Sequence, residues 1–164
     1  MSLEIPLTRG QVALIDECDA FQVAPFKWFA LWASRSKTYY AAREQSMDDR
    51  TRVIPMHRWI IGIEDLSVEI DHWNHIGTDN RRSNLRICTH QQNVCNRRGW
   101  NSSSAYKGIR YRSNRKWEAR IRVNGKELYL GQFSEEAHAA EAYNRAATAH
   151  FGEFAYLNKA EGAL

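Results

Sequence analysis

Residues 70–93 read Ile-Asp-His-Trp-Asn-His-Ile-Gly-Thr-Asp-Asn-Arg-Arg-Ser-Asn-Leu-Arg-Ile-Cys-Thr-His-Gln-Gln-Asn. Val68 to Asp71 predicts a strand that runs into a loop at Gly77. Ser83 is a cap candidate for a helix that would carry Leu85, Cys88 and Cys95 toward a core. The expected unit is therefore strand, loop, helix, with Asp71 and His72 brought near polar helix residues of which Asn93 is the most suggestive. Hard oxygen donors with open positions suit Mg²⁺, which keeps several waters and binds substrate phosphate beside one or two protein groups. Zinc is disfavoured, because Cys88 and Cys95 lack C-x-x-C spacing and their helical spacing suits apolar packing. His75 and His90 are alternative ligand candidates, His90 and Asn93 being three apart on one helical face; the competing reading is a solvated polar surface.

Around that stretch the chain has 164 residues, with 23 Lys and Arg against 19 Asp and Glu, 43% hydrophobic and 12% aromatic. Such a composition excludes a disordered tail. No basic stretch feeds an apolar run near Met1, and the most apolar window, 24–33, is short and interrupted by Lys27, so neither a signal peptide nor a membrane span is expected. Cys18, Cys88 and Cys95 form no disulfide framework and suit a reducing compartment, which predicts a soluble, cytoplasmic protein. The run Arg97 to Ser104 breaks every apolar periodicity. It divides the chain into a domain over 1–98, a linker over 99–104 and a second domain over 105–164.

Upstream, Val12 to Ile15, Lys27 to Ala33, Thr38 to Arg43 and Arg52 to Ile54 are strand-like and predict an antiparallel sheet. Pro55 to Gly62 predicts a short helix, with Pro in its first turn and Gly at its end. Downstream, Tyr106 to Arg112, Lys116 to Val123 and Glu127 to Phe133 are three strands, the last two joined by Asn124-Gly125, a type I′ hairpin signal. Ser134 is the expected cap of a following helix, with Glu135 and Glu136 in its first turn and Gly152 past its end. The fold class is α+β: an antiparallel N-terminal sheet with the metal motif, then a three-stranded antiparallel sheet packed on one helix.

The pieces Asp71-His72, Asp79-Asn80-Arg81-Arg82-Ser83-Asn84-Leu85-Arg86 and Asn93 resemble the HNH endonucleases, also called ββα-metal or His-Me finger nucleases, over roughly 56–96. The resemblance implies that His72 is the general base, that Asp71 and Asn93 hold a divalent metal, Mg²⁺ or Mn²⁺, and that Asn84 orients the base. Asn93 stands where many relatives carry the final histidine of the family name, a variant that also occurs in phage homing members. A neutral imidazole near its ordinary pKa of ~6.5 can take a proton from water at cellular pH. A metal there would offset the charge growing on the phosphate and the leaving 3′ oxygen. The resemblance further implies products with 5′-phosphate and 3′-hydroxyl ends. Arg81, Arg82 and Arg86 read as phosphate clamps beside such a site, against the plainer reading of a charged helix start. His57 reads as a structural support.

Alternation sorts the C-terminal strands into an apolar face and a cationic one. Ile109, Tyr111, Trp117, Ala119, Ile121, Val123, Leu128 and Leu130 oppose Arg110, Arg112, Glu118, Arg120, Arg122, Glu127 and Tyr129. The Ala-rich helix can cover the first face, and the second can enter a major groove. Tyr106 to Arg112, Lys116 to Arg122, Tyr129 to Phe133 and the helix through Gly152 resemble the Apetala/ethylene-response-factor type DNA-binding domain. That resemblance implies DNA-contacting positions at Lys107, Arg110, Arg112, Arg122 and Tyr129; Arg120, where plant members usually have glutamate, joins the same cationic face.

Together these readings predict a phage-encoded, homing-type or free-standing DNA endonuclease in a bacterial host. It would act on double-stranded DNA as a monomer or homodimer and nick one strand per active site, with the basic sheet adding affinity by tethering. The rival is a sequence-specific DNA-binding regulator with an inactive nuclease unit. A second rival is a packaging nuclease that works with terminase.

Overall fold

The computed structural model describes residues 1–47, 50–97 and 103–159. It divides the chain into two units, Met1–Asn93 and Val94–Leu164. Positions 99–102 of the linker expected over 99–104 lie outside the described residues.

In the first unit, β1 (Ser2–Pro6) pairs antiparallel with β2 (Val12–Asp16), and a short helix α1 (Ala20–Val23) follows. Strands β3 (Phe29–Ala33), β4 (Thr38–Met47) and β5 (Arg50–Pro55) form a separate antiparallel sheet in that order. The segment Val12 to Ile15, expected in one sheet with the others, thus belongs to its own hairpin. Helix α2 (Met56–Ile61) starts after Pro55 and ends at Gly62, whose left-handed φ of 74° lets its N–H reach back to the carbonyls of Arg58 and Trp59.

Strands β6 (Glu69–His72) and β7 (Leu85–Cys88) pair antiparallel, and helix α3 (His90–Asn96) follows at once. Contrary to the expected helix, Ser83 caps none and the segment holding Leu85 and Cys88 is a strand. Three-residue apolar spacing suits a helix, but β6 is largely buried and its N–H and C=O groups need partners, which only a second strand supplies. Helix formation is postponed to His90. Ala13, Ile15, Val23, Trp28, Ala41, Met56, Ile60, Ile70 and Leu85 close one apolar core beneath these elements.

The second unit carries β8 (Ile109–Tyr111), β9 (Trp117–Val123) and β10 (Lys126–Phe133) in the order β10-β9-β8, all antiparallel. Asn124 and Gly125 both take positive φ, 50° and 79°, the geometry of a type I′ turn, and register Val123 against Lys126. A bulge between Tyr129 and Gly131 then shifts the pairing, so that Gly131 and Phe133 stand opposite Ala119 and Trp117. Helix α4 (Glu136–Phe151) lays Ala139, Ala140, Ala142, Tyr143 and Ala147 on Ile109, Ala119 and Ile121. Its N-cap is Glu135, with no side-chain cap bond, rather than Ser134. Gly108, at φ 76°, lets the chain pass under Tyr143 so closely that a Cβ would lie 2.3 Å from the ring. Among the described residues no helix is long and apolar enough to cross a membrane.

Candidate functional site

Strand β6 sets two chemistries on opposite faces. Ile70 and His72 turn toward the core side, Glu69 and Asp71 toward the other. His72 is only 5% exposed and lies edge-on to Tyr40 and His57, at ring-centroid distances of 5.5 and 5.0 Å. Its Nε2 is 3.4 Å from Oδ1 of Asn80, a fully buried residue whose own N–H donates to the Leu14 carbonyl at 2.7 Å. An amide oxygen can only accept, so Nε2 carries the hydrogen and Nδ1 is left as the basic nitrogen. Nδ1 of His57, by contrast, is sealed from solvent without a partner. Burial pushes both imidazoles toward the neutral form, His57 down to about 3, with the nearby His72 and Arg58 adding to the effect.

The loop between β6 and β7 is held by its own polar residues. Asn84 donates to the Asp79 carbonyl at 2.7 Å and accepts the Asn74 N–H at 3.0 Å; it touches the loop, whereas the residue against the imidazole is Asn80. Asn74 Nδ2 donates to Asp79 at 2.8 Å, and the Thr78 carbonyl accepts from Leu14 of β2 at 2.9 Å. Gly77 packs where a Cβ would meet the Tyr39 carbonyl at 2.6 Å and the Tyr40 ring at 2.8 Å, so this loop closes directly on the strand that flanks His72.

The arginines expected to grip phosphate in this unit are each committed to a buried carboxylate. Arg81 forks onto Asp79 at 2.8 and 2.6 Å. Arg82 holds Asp19 at 2.7 Å and the Ile60 carbonyl at 2.9 Å. Arg86 reaches Asp71 at 2.5 Å. Asp19, Asp71 and Asp79 are all at least nine-tenths buried, so the pairs neutralise charge inside the fold. Arg81 and Arg82 thus each lie against a buried carboxylate, Arg82 joining the loop to the α1 and α2 region.

Asp71 and Glu69 share the outer face of β6, and α3 lies beside it. Glu69 accepts from Asn93 Nδ2 and lies 2.6 Å from His90 Nδ1. The carboxylate of Asp71 and the carboxamide oxygen of Asn93 are hard donors that suit a divalent cation keeping most of its waters. Among the described residues no three His, Cys, Asp or Glu side chains gather into a metal-holding group. Glu69 and Asn80 are the residues sequence reasoning missed. Asn80 lay inside the quoted motif, and Glu69 was legible only as the residue two before Asp71 on the same strand face.

In the second unit Arg110, Arg112, Arg120 and Tyr129 gather on one face of the sheet, with Glu118 and Glu127 among them. Arg112 and Arg120 bracket Glu118 at 2.5 and 2.7 Å, and Arg120 also holds Glu127 at 2.8 Å. The two guanidiniums hold the Glu118 carboxyl down to about 2, burial opposing them. Arg110 stands 3.9 Å from Glu127 and remains half-exposed, while Arg122, exposed, makes no ion pair within 4 Å among the described residues. Arg120 stacks at 5.7 Å over Tyr129. Lys107 is engaged within the unit: its ammonium donates to the carbonyls of Cys95 and Arg97 at 2.7 and 2.6 Å, and burial lowers its pKa to about 8. It ties off carbonyls at the end of α3.

No protein-family model matches the chain. An uncharacterized HNH endonuclease of Acanthamoeba polyphaga mimivirus is 31% identical to it over 142 residues, which cover 84% of this chain and 69% of that protein. The chain belongs to the HNH endonuclease family. The dehydration-responsive element-binding protein 2A of Oryza sativa is 44% identical over 63 residues, 37% of this HNH chain and 23% of the plant protein. An AP2-like ethylene-responsive transcription factor of Arabidopsis thaliana is 49% identical over 59 residues, 34% of this chain and 10% of its own length. The chain thus spans about a quarter or less of these plant proteins. It joins an HNH unit to an AP2-like segment, a pairing that implies DNA binding.

Proposed function

We propose that this protein is a divalent-metal-dependent DNA endonuclease that hydrolyses phosphodiester bonds in double-stranded DNA, nicking one strand per active site. The observation that carries the reading is His72: a buried, neutral imidazole whose Nε2–H faces Asn80, leaving Nδ1 as the basic nitrogen. In the reaction, Nδ1 takes a proton from water, the water oxygen bonds to phosphorus, and the bond to the 3′ oxygen breaks. The leaving oxygen takes a proton from solvent, giving 5′-phosphate and 3′-hydroxyl ends. Asp71 and Asn93 would hold the Mg²⁺ or Mn²⁺ ion, which when bound lowers the cost of charge on the phosphate and leaving oxygen. Asn84 acts one step away, by fixing the loop that presents Asn80.

The AP2-like sheet supplies grip through Arg110, Arg112 and Arg122, with Tyr129 beside Arg120, and its tethering raises the effective concentration of DNA at the HNH unit. A homing-type, phage-borne setting rests on motif resemblance; the mimivirus relative supports a viral one.

A second reading is a DNA-binding regulator whose nuclease unit is idle. It is favoured by the Arg86 guanidinium at 2.5 Å from Asp71, which a cation would have to displace or share. Supercoiled plasmid incubated with the full chain and Mg²⁺ or Mn²⁺, beside His72→Ala, decides between them. Nicking by the parent chain and not by the variant supports the endonuclease; binding without nicking under either metal supports the regulator.

A further inference from the structure

We propose that Glu69 is a positioning residue for Asn93: its carboxylate takes the Asn93 amide hydrogen and so turns Oδ1, the one atom of that side chain able to ligate a cation, away from itself and toward the metal. The inference rests on the metal-dependent reading above and deepens it. A carboxamide has two ends of nearly equal size, one a donor and one an acceptor, and only the oxygen binds a hard cation. Left alone on a helix it presents either end. A carboxylate can only accept, so Nδ2 must face Glu69, and the opposite end is fixed as oxygen.

The carboxylate is itself held. Its second oxygen lies 2.6 Å from His90 Nδ1, which must then carry the hydrogen. His90 and Asn93 are three residues apart on α3, so one carboxylate on β6 engages two side chains of one helical face and fixes the helix in rotation. Asn93 is further tied by its backbone N–H to the Thr89 carbonyl at 3.0 Å. Among the described residues no donor reaches Asn93 Oδ1, so the end turned outward is not spent inside the protein. Glu69 and Asp71 stand on the same face of β6, which keeps the oriented carboxamide on the side where the Asp71 carboxylate is.

The test is Mn²⁺ binding to the full chain without DNA, by electron paramagnetic resonance and calorimetry. Glu69→Gln keeps the shape but lets Asn93 pair either way round. It should weaken Mn²⁺ binding by roughly 10–100-fold, as loss of a partner to a metal ligand does, while metal-free DNA affinity stays unchanged. Glu69→Gln with Asn93→Asp reverses donor and acceptor and places a carboxylate, both of whose ends ligate, at the metal; affinity should return to within about threefold of the parent. A single variant that binds Mn²⁺ as the parent does, or a double variant as weak as the single, overturns the proposal. Asp71→Asn separates the two levels. If it abolishes Mn²⁺ binding and Glu69→Gln does not, the positioning role fails alone; if it too binds normally, the metal-site reading fails and takes the inference with it. Should Glu69→Gln not fold, the Asn93 side-chain amide of the metal-free parent is read by NMR. Slow hydrogen exchange there supports the bond to Glu69, and exchange at the rate of a free amide overturns it.

Discussion

The two units use arginine in opposite ways. In the HNH unit Arg81, Arg82 and Arg86 each meet one buried aspartate, and their charge is spent on holding the loop and strands around His72. In the AP2-like sheet Arg110, Arg112 and Arg120 pair with Glu118 and Glu127 while Arg122, among the described residues, makes no ion pair, so positive charge is left over on one face. An arginine count in a sequence therefore does not measure capacity to bind phosphate. What matters is whether a carboxylate has been buried against the guanidinium, because such a pair is costly to break.

This contrast predicts a division of labour. The largest effect is expected from His72→Ala, which should lower the nicking rate by about 10²–10⁴-fold while leaving metal-free DNA affinity as it was. Gel-shift and plasmid assays on the same preparation check it, and a parallel loss of binding would blur the division. Next is Arg82→Ala, which strands Asp19 without its cation; a loss of about 2–3 kcal/mol in denaturant unfolding is expected, with no change in the salt dependence of binding. A shallower salt slope in that variant would mean that the HNH arginines do reach phosphate.

Arg110→Ala with Arg122→Ala should do the reverse: unchanged unfolding, and a slope of log affinity against log salt reduced by about 1–2. The smallest effect concerns Glu118. Its carboxyl is held at about 2 in the folded chain against an ordinary 4.5, so its contribution is complete above 4.5 and is lost as pH falls toward about 2. Glu118→Gln should flatten the dependence of the unfolding midpoint on pH across that window, an outcome readable by denaturant titration at several pH values. An unaltered profile would remove Glu118 as the organiser of Arg112 and Arg120.

Local signals carried the elements whose chemistry is local. Asn124-Gly125 dictated the β9–β10 turn, Pro55 and Gly62 bounded α2, and the alternation of Arg110 against Ile109 sorted the faces of β8. The strand character of Leu85–Cys88 was not legible, since the spacing of Leu85 and Cys88 fits a helix and only the need of the buried β6 backbone for partners overrules it. The pairing of β2 with Ser2–Pro6 was missed for a similar reason: register between strands is a tertiary choice. Lys107 read as a cation for DNA because a sequence does not show that the carbonyls of Cys95 and Arg97 will surround it.

By itself, then, the sequence determined the order Asp71, His72, Asn84, Asn93 and the local turn and helix-end signals, because motif spacing and residue chemistry are properties of the linear chain. Only tertiary structure decided which side chains act on ligands and which on one another. Asn80 against His72, Glu69 against Asn93 and each arginine against its aspartate are meetings of residues that strand pairing and loop closure bring together. Their roles follow from desolvation and hydrogen-bond satisfaction at that meeting, which no local pattern encodes.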